Sequence, residues 1–591
     1  MWRPSRRRDS GSRAADGAER DNDARIDTLA DTDIPPEALA MPELVVGLDT
    51  GASLNDDTAK SFGVAGWTFF SRATGLLRVM VAGAILGPTF FANIFQATNT
   101  IPNLTYNLMA GSLLTELIIP ILIVELDHKG LAQTRRLLRQ IVGVVLAGFT
   151  AVALLVVLAS PLIVRLLTFG VHGSPVEVAN ARTECWVLLF LVLPQIGLYG
   201  VVAAATAAQN ARGKFALASA APAIENLGLI ATLIFVSIVF GRDTTNVSNG
   251  YLFCLGTGAT MSVALHTAVQ CFGAARCGLP LWPSFKWNHP AIGALVRRAI
   301  PAAGTASLDA SWLFIIIVAA GTVPGGVVAI QIGINFYYMP VALSAKAAGT
   351  VLLPRLSREA LHNKLVEFRE TYDLGISWSW FVAVPASLTL IVTSRPIAQA
   401  IAFGEMRRHD GIALLSAAIA GLGLALLFAT MFEFAKQTCY ARHDVRAPLV
   451  GCAAMVALLL VGSPVAAKTL DGPRMLFGLG LLVTCGELIR ALITDRAARM
   501  GTHPQGASLL HALVRHAGVA VLTIGPGALL GRAIEHALRG HAHLGAVAGV
   551  VIGVGAGLVA YLVVQSLLNA PELPENLRFS SRRAAISEGA A

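Results

Sequence analysis

Charge is what this chain has least of. Asp, Glu, Lys and Arg make up 14% of its 591 residues, against roughly 25% in a soluble protein. So few charges cannot cover a water-facing surface of this size, and the mean hydropathy of +0.64 excludes an ordinary soluble fold. Metal-ligand cysteine spacing is also missing. Cys185, Cys254, Cys271, Cys277, Cys439, Cys452 and Cys485 mostly lie in or beside apolar runs and read as small core side chains. No Gly-x-x-x-x-Gly-Lys-Ser/Thr loop is present, which argues against ATP as the direct energy source. Neither a cofactor nor a metal is expected. The net charge of +9 does not point to nucleic acid, because the basic residues cluster between apolar runs. Arg3, Arg6, Arg7 and Arg8 are followed by a polar, Asp- and Ala-rich stretch rather than an apolar h-region, so no secretory signal is expected there.

What is present is a succession of long apolar runs from residue 61 to 567. Each is near the ~20 residues that cross a bilayer as a helix. About fourteen spans are expected, at 61–86, 91–124, 136–160, 183–208, 216–240, 250–274, 293–320, 326–353, 372–394, 411–438, 446–467, 475–493, 508–530 and 543–567. The chain therefore reads as an all-α polytopic membrane protein. The second span is long and carries Asn99, Pro102, Asn103 and Gly111. It reads as a kinked or broken helix bordering a protein-lined cavity. Residues 1–60 read as a disordered cytoplasmic tail, with a regulatory or docking role open to it, and 568–591 as a cytoplasmic C-terminal tail.

Lysine and arginine set the orientation. One set of loops holds Lys129, Arg135, Arg136 and Arg139, then Arg212 and Lys214, then Arg276, Lys286, Arg297 and Arg298. It continues with Arg355, Arg358, Lys364 and Arg369, then Arg442 and Arg446, then Arg496 and Arg499. Alternate loops are poor in base, with Arg407 and Arg408 as the main exceptions. Both termini are expected in the cytoplasm, and the protein in a bacterial cytoplasmic (inner) membrane.

Two stretches echo each other. Ala211-Arg212-Gly213-Lys214 closes the fourth span as Ala441-Arg442-His443-Asp444 closes the tenth, and Pro120 ends the second as Pro354 ends the eighth. Offsets of 230 and 234 residues are what a duplicated six-helix unit produces. The expected architecture is an N-lobe (61–275) and a C-lobe (290–500) related by a pseudo-two-fold axis along the membrane normal. A helix pair (507–567) stands outside the repeat.

Arg72 and Arg78 sit inside the first span. A charge at that depth costs at least a few kcal/mol, so it normally faces a watery cavity or an anionic ligand. The alternative is that both long stems snorkel to the surface.

These residues resemble the MurJ (MviN) family of lipid II flippases, within the multidrug/oligosaccharidyl-lipid/polysaccharide exporter superfamily. The resemblance rests on Ser71-Arg72-Ala73-Thr74-Gly75-Leu76-Leu77-Arg78, Ile101-Pro102-Asn103-Leu104, Pro120, Arg212-Gly213-Lys214-Phe215, Pro222 and Asn226. It continues through Gly349, Pro354-Arg355-Leu356-Ser357 and Tyr440-Ala441-Arg442-His443-Asp444. It implies two six-helix lobes around a central cavity, an added helix pair for the lipid tail, and alternating access. The substrate it implies is a polyprenyl-(pyro)phosphate-linked saccharide such as lipid II, or a related anionic lipid, and the partners it implies for the N-terminal tail (1–60) are cell-envelope biosynthesis proteins. By the same resemblance Arg72, Arg78 and Lys346 become candidates for the headgroup phosphate, and Gly75, Pro102, Asn103 and Asn335 for the cavity or its hinges. Several family charges are replaced, by Asn93, Thr100, Tyr106, Asn107, Gly111-Ser112 and Ile334-Asn335, so a less cationic cavity and an altered substrate are expected.

Asp309 is a candidate site for a coupling monovalent cation or proton, the alternative being a carboxylate neutralised by Lys346 or by protonation. Glu116, Glu225 and the Glu433/Lys436 pair also lie in apolar runs, the last reading as an intrahelical ion pair. His511 and His516 read as interfacial. Other functions weighed are a degenerate, non-transporting scaffold of the cell envelope and a small-molecule antiporter of the same superfamily. A membrane-embedded glycosyltransferase fits poorly with the short extracytoplasmic loops, and no enzyme activity is expected.

Overall fold

Apolar runs in lipid cannot leave backbone N–H and C=O groups unpaired, so helices carry the whole fold. The structure is a computed structural model that describes residues 54–579, apart from 110, 245–246, 409, 443, 500–505, 539–540 and 574–577. The side chains of some helical residues, Glu116 and Lys346 among them, also fall outside the described set. In chain order the helices are α1 (Leu54–Leu86), α2 (Phe90–Leu108), α3 (Gly111–Leu167), α4 (Pro175–Val192), α5 (Pro194–Ala211) and α6 (Phe215–Ala220). Then come α7 (Pro222–Val239), α8 (Asn249–Arg276), α9 (Pro290–Ala320), α10 (Gly326–Leu361), α11 (Leu365–Val392) and α12 (Ser394–Ile401). The last are α13 (Gly411–Ala441), α14 (Arg446–Thr469), α15 (Gly472–Ala498), α16 (Gly506–Ala537) and α17 (Ala542–Leu567). No strand occurs among the described residues.

Among the described residues twelve stretches are long and apolar enough to cross a membrane, and one of them, Leu117–Leu167, runs for 51 residues. Gly130, at φ 74 and ψ 176, breaks α3 inside that stretch. The expected seventh span is present as α9, whose apolar stretch among the described residues is Ala306–Ala320. The second span is interrupted as expected, though later in the sequence. The helix runs through Pro102, which is buried, and ends at Leu108. The first helix starts at Leu54, within the stretch read as a disordered tail. The docking role expected of the tail falls on residues outside the described set up to 53.

The echoed turns have the same hydrogen bonding. The Lys214 amide donates to the Gln209 carbonyl at 3.0 Å, and the Asp444 amide to the Cys439 carbonyl at 2.9 Å. Pro120 and Pro354 are followed by left-handed residues, Gly130 (φ 74) and Asn363 (φ 52).

Three apolar cores organise the helices. One joins α3 and α5 through Ile118, Leu138, Ile141, Phe149 and Ala204. A second joins α10, α11 and α13 through Leu352, Phe368, Tyr372 and Phe434. The largest spans both groups, with Phe91, Ile94 and Phe95 of α2 in one cluster with Val328 and Ile330 of α10 and Leu415 and Leu422 of α13. Polar bonds lock this seam. The Asn93 amide donates to the Val323 carbonyl at 2.7 Å while its oxygen accepts from the Val327 amide at 3.0 Å. Gln331 Nε2 donates to Thr100 Oγ1 at 2.7 Å. Gly325, at φ +74, lies against the Pro88 backbone and donates its amide to the Thr89 carbonyl at 3.1 Å; a side chain there would meet both strain and a neighbour.

The last helix pair is held by two devices. Gly527 and Gly531 of α16 face Gly549 and Gly553 of α17 so closely that a Cβ at Gly531 would lie 2.5 Å from the Gly549 carbonyl oxygen. This is the close backbone approach that small residues allow between membrane helices. Beyond α17 the chain folds back. Glu572 accepts both oxygens' bonds from Arg515 of α16 at 2.5 and 2.6 Å and one from Ser377 of α11 at 2.5 Å. His516, expected at an interface, is fully buried instead. Its Nε2 lies 3.5 Å from Glu572, and Gln565 and Tyr561 approach its Nδ1 at 3.1 and 3.3 Å. Those partners come from α17 and the returning chain, and they replace the water it would otherwise need.

Two predictions follow from this packing. Gly531→Val should destabilise the pair by about 1–3 kcal/mol through overpacking. Gly525→Ala, where nothing lies within 4 Å of an added Cβ, should leave thermal stability unchanged or slightly raised. Second, burial pushes the Glu572 carboxyl up, but hydrogen bonds from His516 and Ser377 outweigh this and hold it at about 2, below its usual 4.5. A lowered folded-state value contributes stability that is complete above about pH 4.5 and lost as pH falls towards 2. Melting temperature should therefore drop over that window in the wild type, and Glu572→Gln should remove that part of the drop.

Candidate headgroup site

Helix α1 runs unbroken through Gly75 and is pinned to α7 one turn before Arg78. Asn226 Nδ2 donates to the Ser71 carbonyl at 3.2 Å and to Thr74 Oγ1 at 3.1 Å. A Cβ at Gly75 would meet Asn226 at 3.5 Å, an ordinary contact. Gly75 therefore sits at a helix contact and shows no bend.

The pinning sets Arg78 beside Glu225, the neighbour of Asn226 in sequence. Arg78 Nη1 lies 3.7 Å from Glu225 Oε1, with the two side chains 26% and 12% exposed. The same carboxylate accepts from the Tyr199 hydroxyl of α5 at 2.8 Å and faces His266 Nδ1 of α8 at 2.9 Å. His266 Nε2 is buried and makes no hydrogen bond. Asn103 of α2 reaches the Tyr199 hydroxyl. Asn103 is exposed and accepts from Asn107 Nδ2 at 3.1 Å. Tyr106 stacks on Phe149 and leans on Tyr199, with ring centroids 6.2 and 5.9 Å apart. The result is a polar surface carrying one cation, one carboxylate, one imidazole and two carboxamides.

Arg72 and Asn335 are not gathered here. Arg72 is exposed and has no ion pair among the described residues. Six residues place it roughly 120° around the helix from Arg78, so the two do not form one fork. Asn335 donates to the Gln331 carbonyl at 2.8 Å, beside the α2–α10 seam. Lys346 lies on α10 with its side chain outside the described set.

Asp309 belongs to a second network. It accepts from Lys436 Nζ at 3.3 Å and from Arg490 Nη1 at 2.8 Å. Lys436 also binds Glu433 at 2.7 Å, the expected intrahelical pair. Arg490 binds Glu487 through two nitrogens at 2.6 and 2.5 Å. Glu487, with no exposed side chain, accepts from the Tyr337 hydroxyl at 2.6 Å. Phe432 lies beneath both cations, 4.0 Å from the Arg490 guanidinium and 5.1 Å from Lys436 Nζ, distances at which the ring face attracts positive charge.

Residues 82–531 match the family model described as lipid II flippase MurJ. The chain belongs to the MurJ family. A probable lipid II flippase MurJ of Rhizobium tropici is 25% identical over 395 residues, 67% of this chain and 73% of that one. The lipid II flippase MurJ of Burkholderia cenocepacia is 23% identical over 396 residues, 65% and 73% of the two chains. Among solved structures, a lipid II flippase MurJ in an inward closed conformation covers 85% of this chain and 98% of its own, with a TM-score of 0.63 and 16% identity. An inward-facing multidrug resistance MATE family transporter of the MOP superfamily covers 80% and 99%, at a TM-score of 0.54 and 12% identity. The fold is that of the MurJ and MATE transporters, and the protein is a multi-pass membrane transporter.

Sequence reading missed Tyr199, His266 and Arg490 in this family member. A signal existed for Arg490, since Glu487 and Arg490 lie three residues apart inside an expected span, as unusual there as Arg72 and Arg78. His266 is a lone imidazole in an apolar span, and nothing nearby in sequence marks its partner. Removing Arg490 tests the second network. Arg490→Met leaves buried Glu487 uncompensated and should cost about 3–5 kcal/mol. Adding Glu487→Gln should restore part of the loss, and melting temperatures of the two variants measure it.

Proposed function

We propose that this protein is a flippase that moves lipid II across the bacterial cytoplasmic membrane for peptidoglycan assembly. The family match over 82–531 carries the reading. The N-lobe cluster supports it chemically. Arg78 supplies a guanidinium suited to a pyrophosphate, and Asn103 and Asn107 add neutral polar groups where a saccharide needs hydrogen bonds. Arg72 provides a second, separately placed cation, and Lys346 remains a candidate on α10. Tyr106, Asn107 and Asn335 stand where the resemblance implies charged residues, which lowers the number of charged contacts without removing them. Asp309 is already paired with Lys436 and Arg490, so a transported metal cation would have to displace one of them to bind there.

Taking Leu117–Leu167 as two passes and α9 as one gives fourteen passes, with both termini in the cytoplasm. Residues 61–275 and 290–500 then form the two rocking lobes, with 507–567 as the lipid-tail pair. In that orientation the seam of Asn93, Gln331 and Gly325 closes the extracytoplasmic side, and transport requires it to part.

The test is replacement of the resident flippase in a depletion strain. Growth should be restored by the wild type and lost with Arg78→Ala at matched protein level. Lipid II binding by Arg78→Ala should weaken by about 1.5–3 kcal/mol, the worth of a hydrogen bond to a charged group, and Arg78→Lys should recover only part of it. Unchanged growth and binding with a lowered melting temperature would reduce Arg78 to a structural role. Labelling a cysteine at Ser248 but not at Ser357 from outside the cell is the expected topology.

A further inference from the structure

We propose that Glu225 and His266 form a proton-binding site that is coupled to anion binding at Arg78, so that the protein takes up a proton as it binds a lipid pyrophosphate. The inference rests on the flippase reading and adds to it the ion that moves with the substrate.

The argument is one of charge balance. Among the described residues, the charged and titratable groups facing Glu225 are Arg78 from α1, Tyr199 from α5 and His266 from α8. With the imidazole neutral, Glu225 and Arg78 cancel. A pyrophosphate that draws Arg78 to itself leaves Glu225 as a carboxylate, 12% exposed, held by a phenol and an imidazole alone. An unpaired charge in that setting is costly. One proton on the Glu225–His266 pair removes the cost. The resting imidazole already donates Nδ1–H to the carboxylate, so the added proton goes to Nε2 to give an imidazolium, or the pair rearranges to a carboxyl O–H donated to Nδ1 with Nε2–H, and the proton belongs to the pair.

The geometry is built for this. Nδ1 and Oε2 are 2.9 Å apart, close enough to exchange a proton without movement. His266 Nε2 makes no hydrogen bond among the described residues, so it is the ring nitrogen left open to the added proton. Arg78, at 26% exposure, is the most open member and its contact with Glu225 is long at 3.7 Å, so it is the member an anion reaches first. The second network differs on each count. Its acids are held at 2.5–3.3 Å by Lys436 and Arg490, and no imidazole enters it among the described residues.

Linkage is reciprocal. If anion binding raises proton affinity, lowering pH raises anion affinity by the same factor. A pyrophosphate diester keeps a constant charge over the pH range tested, so a pH-dependent affinity reports a proton bound by the protein. The experiment measures lipid II binding to the purified full-length protein in nanodiscs at pH 6, 7 and 8. It is paired with proton uptake on lipid addition in weakly buffered solution near pH 7. Wild-type affinity should rise about three- to tenfold per pH unit as pH falls, approaching tenfold for one coupled proton, and proton uptake should approach one per lipid bound. Glu225→Gln should bind with little pH dependence and take up no proton, because Arg78 is then released at every pH. His266→Gln should flatten the slope. Wild-type binding that is independent of pH, with no proton uptake, overturns this inference and leaves the flippase reading standing. A Glu225→Gln variant that keeps the wild-type slope and uptake also overturns it. Absence of lipid II binding by the wild type at every pH removes both readings.

Discussion

A charge carried from water to bilayer depth costs several kcal/mol unless a partner travels with it, and the interior of this protein is arranged around that constraint. Glu225 is met by a guanidinium, a phenol and an imidazole. Asp309, Glu433 and Glu487 share Lys436 and Arg490. Asp373 and Asp495 share Arg499, at 2.6 and 2.8 Å. Glu572 is gripped by Arg515. Each cluster joins helices distant in sequence, so pairing charge and assembling the bundle are the same event.

The clusters differ in how firmly they are closed, and the difference sorts structure from function. Arg490 and Glu487 are nearly or fully buried, with two short contacts between them. Such a pair resists any change in either partner. Arg78 keeps a quarter of its surface open and one long contact. A loosely held, partly exposed cation is available to a ligand, whereas a tightly held one is already spent on the fold.

Between the clusters, small residues and carboxamides set how the helices meet. Gly527, Gly531, Gly549 and Gly553 let α16 and α17 touch backbone to backbone. At the seam, Asn93 satisfies a carbonyl and an amide of the turn before α10, and Gln331 reaches Thr100 across it. These are neutral bonds of ordinary strength, roughly 0.5–1.5 kcal/mol each. A joint made of several such bonds is stable in one state and can still be parted during a transport cycle, which a buried ion pair would oppose.

Much of this was legible in the sequence. The low charge content gave the membrane class, apolar run lengths gave the helices, and a polar, Gly-bearing second span gave an interruption, although Pro102 lies inside the helix and the end falls at Leu108. The echoed Arg212 and Arg442 turns appear with matching hydrogen bonds. Arg78 was recognisable because a charge inside an apolar run is locally anomalous. Its partner was not. Tyr199, Glu225 and His266 come from three helices, and Arg490 meets Asp309 across 181 residues. His516 read as interfacial because its burial depends on α11, α17 and a chain that folds back beyond residue 567. The sequence by itself determined which segments enter the membrane as helices, since that depends on local hydrophobicity and backbone satisfaction. Only the tertiary structure decided which charge answers which, because pairing depends on distances between helices that no local pattern encodes.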